Sequence, residues 1–203
     1  MKKKIILIGS GGHMASTINL IESNNQFKII GIIDKYKRKK KFMGYSIIGT
    51  DKDLISIFKR NIRNCCIGIG QLKDSKPRID VFKKLKKIGF NIPKIISKSA
   101  VLHRTVKIGK GTTVFHNCII NSNAVIGENC IINTRAIIEH DTIIGNNCHI
   151  STGAIVNGSV KIGDNTFVGS GAIIRNNVII GKNVVIGMGQ KIKKNVKSNS
   201  TIK

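Results

Sequence analysis

In the second half of the chain only one histidine stands between two acids, in Ile138-Glu139-His140-Asp141. A neighbouring carboxylate orients an imidazole and raises its basicity, as a general base for an amine or hydroxyl nucleophile requires. The spacing alone leaves a second reading open, a solvent-facing polar triplet at a corner. His149 follows nine residues later and is either a group facing a shared cleft or a satisfied surface histidine. Near the N-terminus, Gly9-Ser10-Gly11-Gly12-His13 joins an apolar run to a helical pattern. Backbone N–H groups at such a helix start favour a phosphate, and a strand-end carboxylate such as Asp34 can hold a ribose or base. The turn departs from G-x-G-x-x-G because Met14 stands at the third glycine, which weakens a dinucleotide reading. The plainer alternative is a turn that only lets strand and helix pack, with His13 at the surface.

The elements that must position these groups are legible as two periodicities. From Leu102 to Ile192 every sixth residue is a branched aliphatic, sixteen times without a slip. At 41% hydrophobic composition, chance would give this roughly once in a million, and a fixed period of this kind signals stacked repeats. Four places after each aliphatic stands a small or β-branched residue, as at Thr112, Cys118, Ala124, Cys130, Ala136 and Cys148. Gly or Asn follows the aliphatic at Gly109, Gly127, Gly145, Gly163, Gly169, Gly181, Asn121, Asn133 and Asn157, which reads as a corner in every hexad. The expected architecture is a solenoid of short parallel strands, about five coils long.

Before it, the pattern changes to strand, glycine turn, helix, strand: Lys4 to Ile8, Gly9 to His13, Met14 to Ser23, Lys28 to Ile33. This is the opening unit of a doubly wound sheet, continued by Cys65 to Ile69, a helix over Pro77 to Lys87 and a strand around Ile95. The expected organisation is an α/β, Rossmann-like domain over residues 1–97 and a solenoid over residues 98–203.

Lys and Arg number 35 against 10 acids, a formal charge of +25. The basic residues are mostly scattered lysines, Lys35 to Lys41 forming the one dense run, and aromatics are too few for base-stacking platforms. Nucleic acid is therefore not the expected partner, and the charge reads as a surface that attracts phosphorylated ligands. Cys118, Cys130 and Cys148 fall on the interior position, and Cys65 and Cys66 on a buried strand, which suits a reduced cytoplasmic protein. The apolar run Ile5 to Ile8 ends at Gly9, too short for a signal peptide or membrane span. A zinc site of the γ-type carbonic anhydrase kind would need a His-x4-His pair, which His103, His116, His140 and His149 do not form, so no metal is expected.

Taken together, Gly9-x-x-Gly12-His13, Gly31 to Tyr36, Ile67-Gly68-Ile69-Gly70, Ile132-Asn133-Thr134, Ile138-Glu139-His140, Ile150-Ser151-Thr152, Val156-Asn157-Gly158 and Thr166 to Ser170 carry a resemblance. The chain resembles the NeuD/PglD-like sugar acyltransferases, which comprise sialic acid O-acetyltransferases and N-acetyltransferases of UDP-linked 4-amino sugars. The resemblance implies that the solenoid is a left-handed parallel β-helix of hexapeptide repeats and that the co-substrate is acetyl-CoA. It implies His140 as general base, with Asp141 and Glu139 beside it, and Gly11, Gly12, His13, Asp34, Lys35 and Gly70 as holding the sugar acceptor. His149, Gly158 and Ser170 would contact acetyl-CoA, which in such enzymes lies between neighbouring solenoids of a homotrimer. The family's closing Gly-x-Pro-Ala-type segment has no counterpart in Asn199 to Lys203, leaving the adenosine end of a CoA site unassigned. Gly31 to Tyr36 and Thr166 to Ser170 resemble the sialic acid branch, whereas His13 and His149 together resemble the amino-sugar branch. The expected reaction is N-acetylation of a nucleotide-linked 4-amino-4,6-dideoxy sugar, the alternatives being O-acetylation of sialic acid and, from another class, a non-catalytic trimeric nucleotide-binding module.

Overall fold

The computed structural model describes residues 2–36, 40–71 and 74–203. Lys37, Arg38 and Lys39 of the basic run lie outside the described residues. The chain divides into two compact units, Met1–Gly70 with Lys76–Pro93, and Gln71–Ser75 with Lys94–Lys203.

The first unit runs β1 (Lys3–Ile8), α1 (Gly12–Asn24), β2 (Phe27–Ile33), β3 (Lys41–Phe42), β4 (Tyr45–Gly49), α2 (Leu54–Lys59), β5 (Asn64–Ile67) and α3 (Lys76–Ile88). Its sheet has the order β3-β4-β2-β1-β5. β1 pairs in parallel with β2 and β5, and β3 is the antiparallel edge. Ile5 to Ile8 are all buried, as a central parallel strand covered on both faces requires. From β1 the chain winds outward to β2 and β4, then crosses back to lay β5 on the other flank of β1. The carboxyl ends of β1 and β5 therefore flank a topological switch point, where doubly wound sheets bind their ligands. α1 stops at Asn25 in the left-handed conformation (φ 58°), its N–H reaching the carbonyls of Ile21 and Glu22. The β3–β4 hairpin and α2 had no sequence signal, being too short for a period to declare itself.

The second unit consists, among the described residues, of two-residue strands in three parallel sheets of six, five and seven strands. Strands bond to those 18 residues on, as Ile120 with Ile138, Ile138 with Val156 and Val156 with Ile174, until the last coil, where Val185 pairs with Thr201, 16 residues on. Three hexads make one coil, and the coils stack as the expected left-handed parallel β-helix. The repeat aliphatics and the small residues four places on fill one continuous interior column, Thr112, Cys118, Ala124, Cys130 and Ala136 all being fully buried. Each interior isoleucine contributes about 1.5–3 kcal/mol by leaving water, so the stabilisation is spread along the column.

Two expectations are corrected. The strand around Ile95 does not continue the α/β sheet. Ile95–Ile96 pairs in parallel with Thr113–Val114 and opens the solenoid, because Ile96 stands one hexad before Leu102. This lengthens the stack to about six coils, since seven strands share that sheet.

The second correction concerns the glycines after each aliphatic. None of Gly109, Gly127, Gly145, Gly163, Gly169 or Gly181 has a positive φ. The left-handed corner falls two residues later, at Asn117, Asn123, Asn129, Arg135, Asp141, Asn147, Gly153, Ser159 and Asn165, with φ between 56° and 66°. The earlier glycines serve spacing: a Cβ on Gly109 would lie 2.6 Å from the backbone of Gly127 and Glu128 in the next coil. At these glycines a side chain is excluded by the next coil, and asparagines take the bend because their short polar side chains tolerate it.

Candidate active site

His140 sits in the turn after the strand Ile137–Ile138, and Asp141 takes the left-handed corner beside it, at φ 58°. That bend turns the Asp141 carboxylate back on its neighbour, with Oδ2 2.8 Å from His140 Nδ1. The hydrogen bond to His140, and after it one from Asn123, holds the Asp141 carboxyl below the usual carboxylate range. An ionised carboxylate can only accept, so Nδ1 carries the proton and the Nε2 lone pair is left for chemistry. The pair is about half exposed, with 53% of the His140 side chain accessible. Glu139 does not join it: its carboxylate accepts a hydrogen bond from Asn121 Nδ2 at 2.8 Å.

One coil on, Gly158 occupies the matching turn. A Cβ there would stand 2.6 Å from His140 Nε2 and 2.7 Å from Cε1, so the missing side chain is what gives the imidazole its position. Among the described residues the Gly158 N–H donates to no group, unlike its neighbour Ser159, whose N–H reaches the His140 carbonyl at 2.9 Å. The turn thus carries a base and an unengaged backbone donor side by side.

His149 is on a different sheet and is 4% exposed. Its Nδ1 donates to the Gln71 carbonyl at 2.5 Å, and its ring meets Phe167 edge-on with centroids 5.2 Å apart. This histidine fastens Gln71 to its own unit, a contact that no sequence spacing could reveal. Ser170 is exposed, in the corner after Phe167–Val168, with Oγ 2.9 Å from Ser151 Oγ. Within one chain, then, His140 and Gly158 share a corner that His149 and Ser170 do not.

In the first unit, Gly9 needs its φ of +99°, and its N–H ties the end of β1 to the Ile33 carbonyl at 2.8 Å. Gly11 and Gly12 are different, because φ is not positive at either and a Cβ would meet nothing within 4 Å. Neither the bend nor the packing of the chain demands glycine there. Gly11 starts α1 without a side-chain cap, and its carbonyl accepts the Met14 N–H at 2.9 Å. Gly70 lies against His13, its would-be Cβ 3.3 Å from the His13 Cβ. Asp34 accepts from Ser10 Oγ at 2.6 Å and from the Tyr36 N–H at 3.0 Å, which knits the carboxyl ends of β1 and β2 together. Lys35 is exposed, with its ammonium 5.4 Å from the Tyr36 ring centroid. Arg78, which no motif marks, is fully buried and donates to the carbonyls of Ile67 and Ile69 at 2.8 and 2.9 Å, shaping the segment that leads to Gly70.

Among the described residues no three His, Cys, Asp or Glu side chains converge as metal ligands. No helix is long and apolar enough to cross a membrane.

A Rossmann-like domain joined to a left-handed β-helix, with an imidazole–carboxylate pair on a coil turn, defines the hexapeptide-repeat acyltransferase class. Residues 92–202, more than half of the chain, match the family model of the GMPPB C-terminal domain and belong to that family, and residues 4–85 match the PglD N-terminal domain. The chain belongs to the sugar acetyltransferases of the PglD/NeuD type. A mutant of perosamine N-acetyltransferase from Caulobacter crescentus, solved with CoA and GDP-perosamine, is 26% identical with a TM-score of 0.92, over 98% of this chain and 92% of that one. WeeI from Acinetobacter baumannii is 26% identical with a TM-score of 0.82, over 97% and 94%. The acetyltransferase domain of PglB from Neisseria gonorrhoeae, solved with acetyl coenzyme A, shares the fold at 24% identity and a TM-score of 0.90, over 99% and 96%. No curated sequence matches significantly.

Proposed function

We propose that this protein transfers the acetyl group of acetyl-CoA to the amine of a nucleotide-linked 4-amino sugar by direct transfer. The observation that carries the reading is the His140–Asp141 pair, with Nε2 left open beside the bare Gly158 N–H. The neutral amine attacks the thioester carbonyl and a C–N bond forms. His140 Nε2 takes the amine proton, while the Gly158 N–H receives the developing oxyanion. As the C–S bond breaks, the imidazolium returns the proton to the CoA thiolate.

The acceptor reading is supported by relatives whose bound ligands include GDP-perosamine and CoA. The nucleotide belongs at the carboxyl ends of β1, β2 and β5, where Gly11, Gly12, His13, Asp34, Lys35 and Gly70 line the switch point. The glycines at 11 and 12, free of any demand from the chain itself, suit a phosphate that must approach the backbone closely. On this reading His149, Gly158 and Ser170 serve acetyl-CoA. Because Gly158 and Ser170 occupy different corners of one solenoid, a homotrimer that brings corners of neighbouring protomers together is the assembly that unites them. Five free, buried cysteines and an acetyl-CoA co-substrate suit the cytoplasm.

The test offers acetyl-CoA with three acceptors: a nucleotide-linked 4-amino-4,6-dideoxy sugar, its 4-hydroxy analogue, and free sialic acid. Products are identified by mass and NMR. Acetylation of the amine alone is expected. Acetyl ester formation on sialic acid would move the enzyme to the O-acetylating branch, and binding of nucleotide without any turnover would favour the non-catalytic module.

A further inference from the structure

We infer that Asn123 is a positioning residue for the base, holding Asp141 in the one rotamer that fixes the proton on His140 Nδ1. This rests on the acetyl-transfer reading for its kinetic consequence, though not for its structural one. Asn123 stands one coil before Asp141 at the same left-handed corner position, with φ 60°. Its Nδ2 donates to Asp141 Oδ1 at 3.0 Å, while Oδ2 of the same carboxylate faces His140 Nδ1 at 2.8 Å. Both oxygens are thus engaged from opposite sides, and the carboxylate plane is set by two hydrogen bonds rather than one.

The bond belongs to a device the solenoid uses elsewhere for structure alone. At another corner, amides run coil to coil from Asn129 to Asn147, Asn165, Asn183 and Asn199, each Nδ2 donating to the next Oδ1 at 2.9–3.1 Å. Among the described residues, Asp141 is the one acid with positive φ. The ladder step from Asn123 therefore ends on a carboxylate, and that carboxylate ends on the imidazole. Turns of this corner also carry His103, Arg104, Glu139 and Arg175, and Glu139 is engaged by Asn121. Of these charged neighbours none acts on the Asp141 carboxyl, for which His140 is the only coulombic influence. Without Asn123, the carboxylate rotates, the imidazole loses its fixed tautomer, and the base is weaker.

Asn123→Gly isolates the amide, because glycine keeps the left-handed backbone without strain. Asn183→Gly removes an equivalent ladder amide away from the base and serves as the control. Imidazole 15N shifts report the His140 tautomer without any acceptor. In wild type and Asn183→Gly the Nδ1–H form dominates, and in Asn123→Gly it gives way to a mixture. Kinetically, Asn123→Gly lowers kcat about tenfold and leaves both KM values within about twofold. Asn183→Gly changes none of these. An unchanged His140 tautomer in folded Asn123→Gly would overturn the inference whatever the activity. Should wild type turn over no acceptor, the functional reading falls, and the tautomer shifts still decide the role of Asn123.

Discussion

His140 and Asp141 were visible as candidates because they are adjacent in sequence, and the left-handed bend at Asp141 turns that adjacency into a 2.8 Å hydrogen bond. Glu139 was equally adjacent, yet the extended backbone before the corner points it at Asn121 on the preceding coil, 2.8 Å away. Adjacency does not tell which neighbour an imidazole takes; the sign of φ does. Gly158 was marked as a contact for acetyl-CoA, and the structure adds a reason for glycine that no motif contains, since a methyl group would enter the space of His140 Nε2. Gly158→Ala is therefore expected to displace the imidazole. Because misplacing a catalytic group by about 1 Å costs on the order of a hundredfold, kcat should fall by about that factor. The melting temperature should hardly move, because the exposed ring can swing away from the added methyl. Steady-state rates beside thermal unfolding check this, and a fully active Gly158→Ala would mean that His140 does not work from this position.

At the scale of the coil, the aliphatic period and the small interior residues were legible because a narrow prism admits only one arrangement of side chains. The two classes of glycine were not separable, since the letter is the same whether bend or contact demands it. They separate by mutation. Gly163→Ala would put a Cβ 2.7 Å from the backbone of Gly181 and Lys182, an overpacking that costs about 1–3 kcal/mol. Gly189 bends at φ +69° with nothing within 4 Å of its would-be Cβ, so Gly189→Asn should cost under about 1 kcal/mol. Denaturant or thermal melts of the two variants give the comparison, and equal losses would refute the distinction. Burial of the thiols belongs to the same column. It pushes Cys118 up to about 11, and burial in β5 of the first unit likewise pushes Cys66 up to about 11, so these thiols are poor targets for thiol reagents in the folded protein.

Across the whole molecule, the α/β-then-solenoid order was legible from the change of period near residue 100. The strand at Ile95 was misassigned because a two-residue strand has no period of its own, and its partner lies 18 residues ahead. The charge acquires a use once the substrates are considered. Of 35 basic residues, 20 fall in Met1–Gly70 and Lys76–Pro93, so the unit that would take the nucleotide is the more basic, and acetyl-CoA is an anion as well. What joins these scales is one claim, that an imidazole primed by a carboxylate removes the proton as the sugar amine is acetylated. Transfer from acetyl-CoA to a nucleotide-linked 4-amino sugar, wild type beside His140→Ala at saturating substrates, tests it most directly. The predicted result is turnover by the wild type and a kcat lower by about 10²–10⁴-fold in a variant that folds and binds CoA normally. A folded His140→Ala variant that acetylates the sugar at the wild-type rate would contradict it.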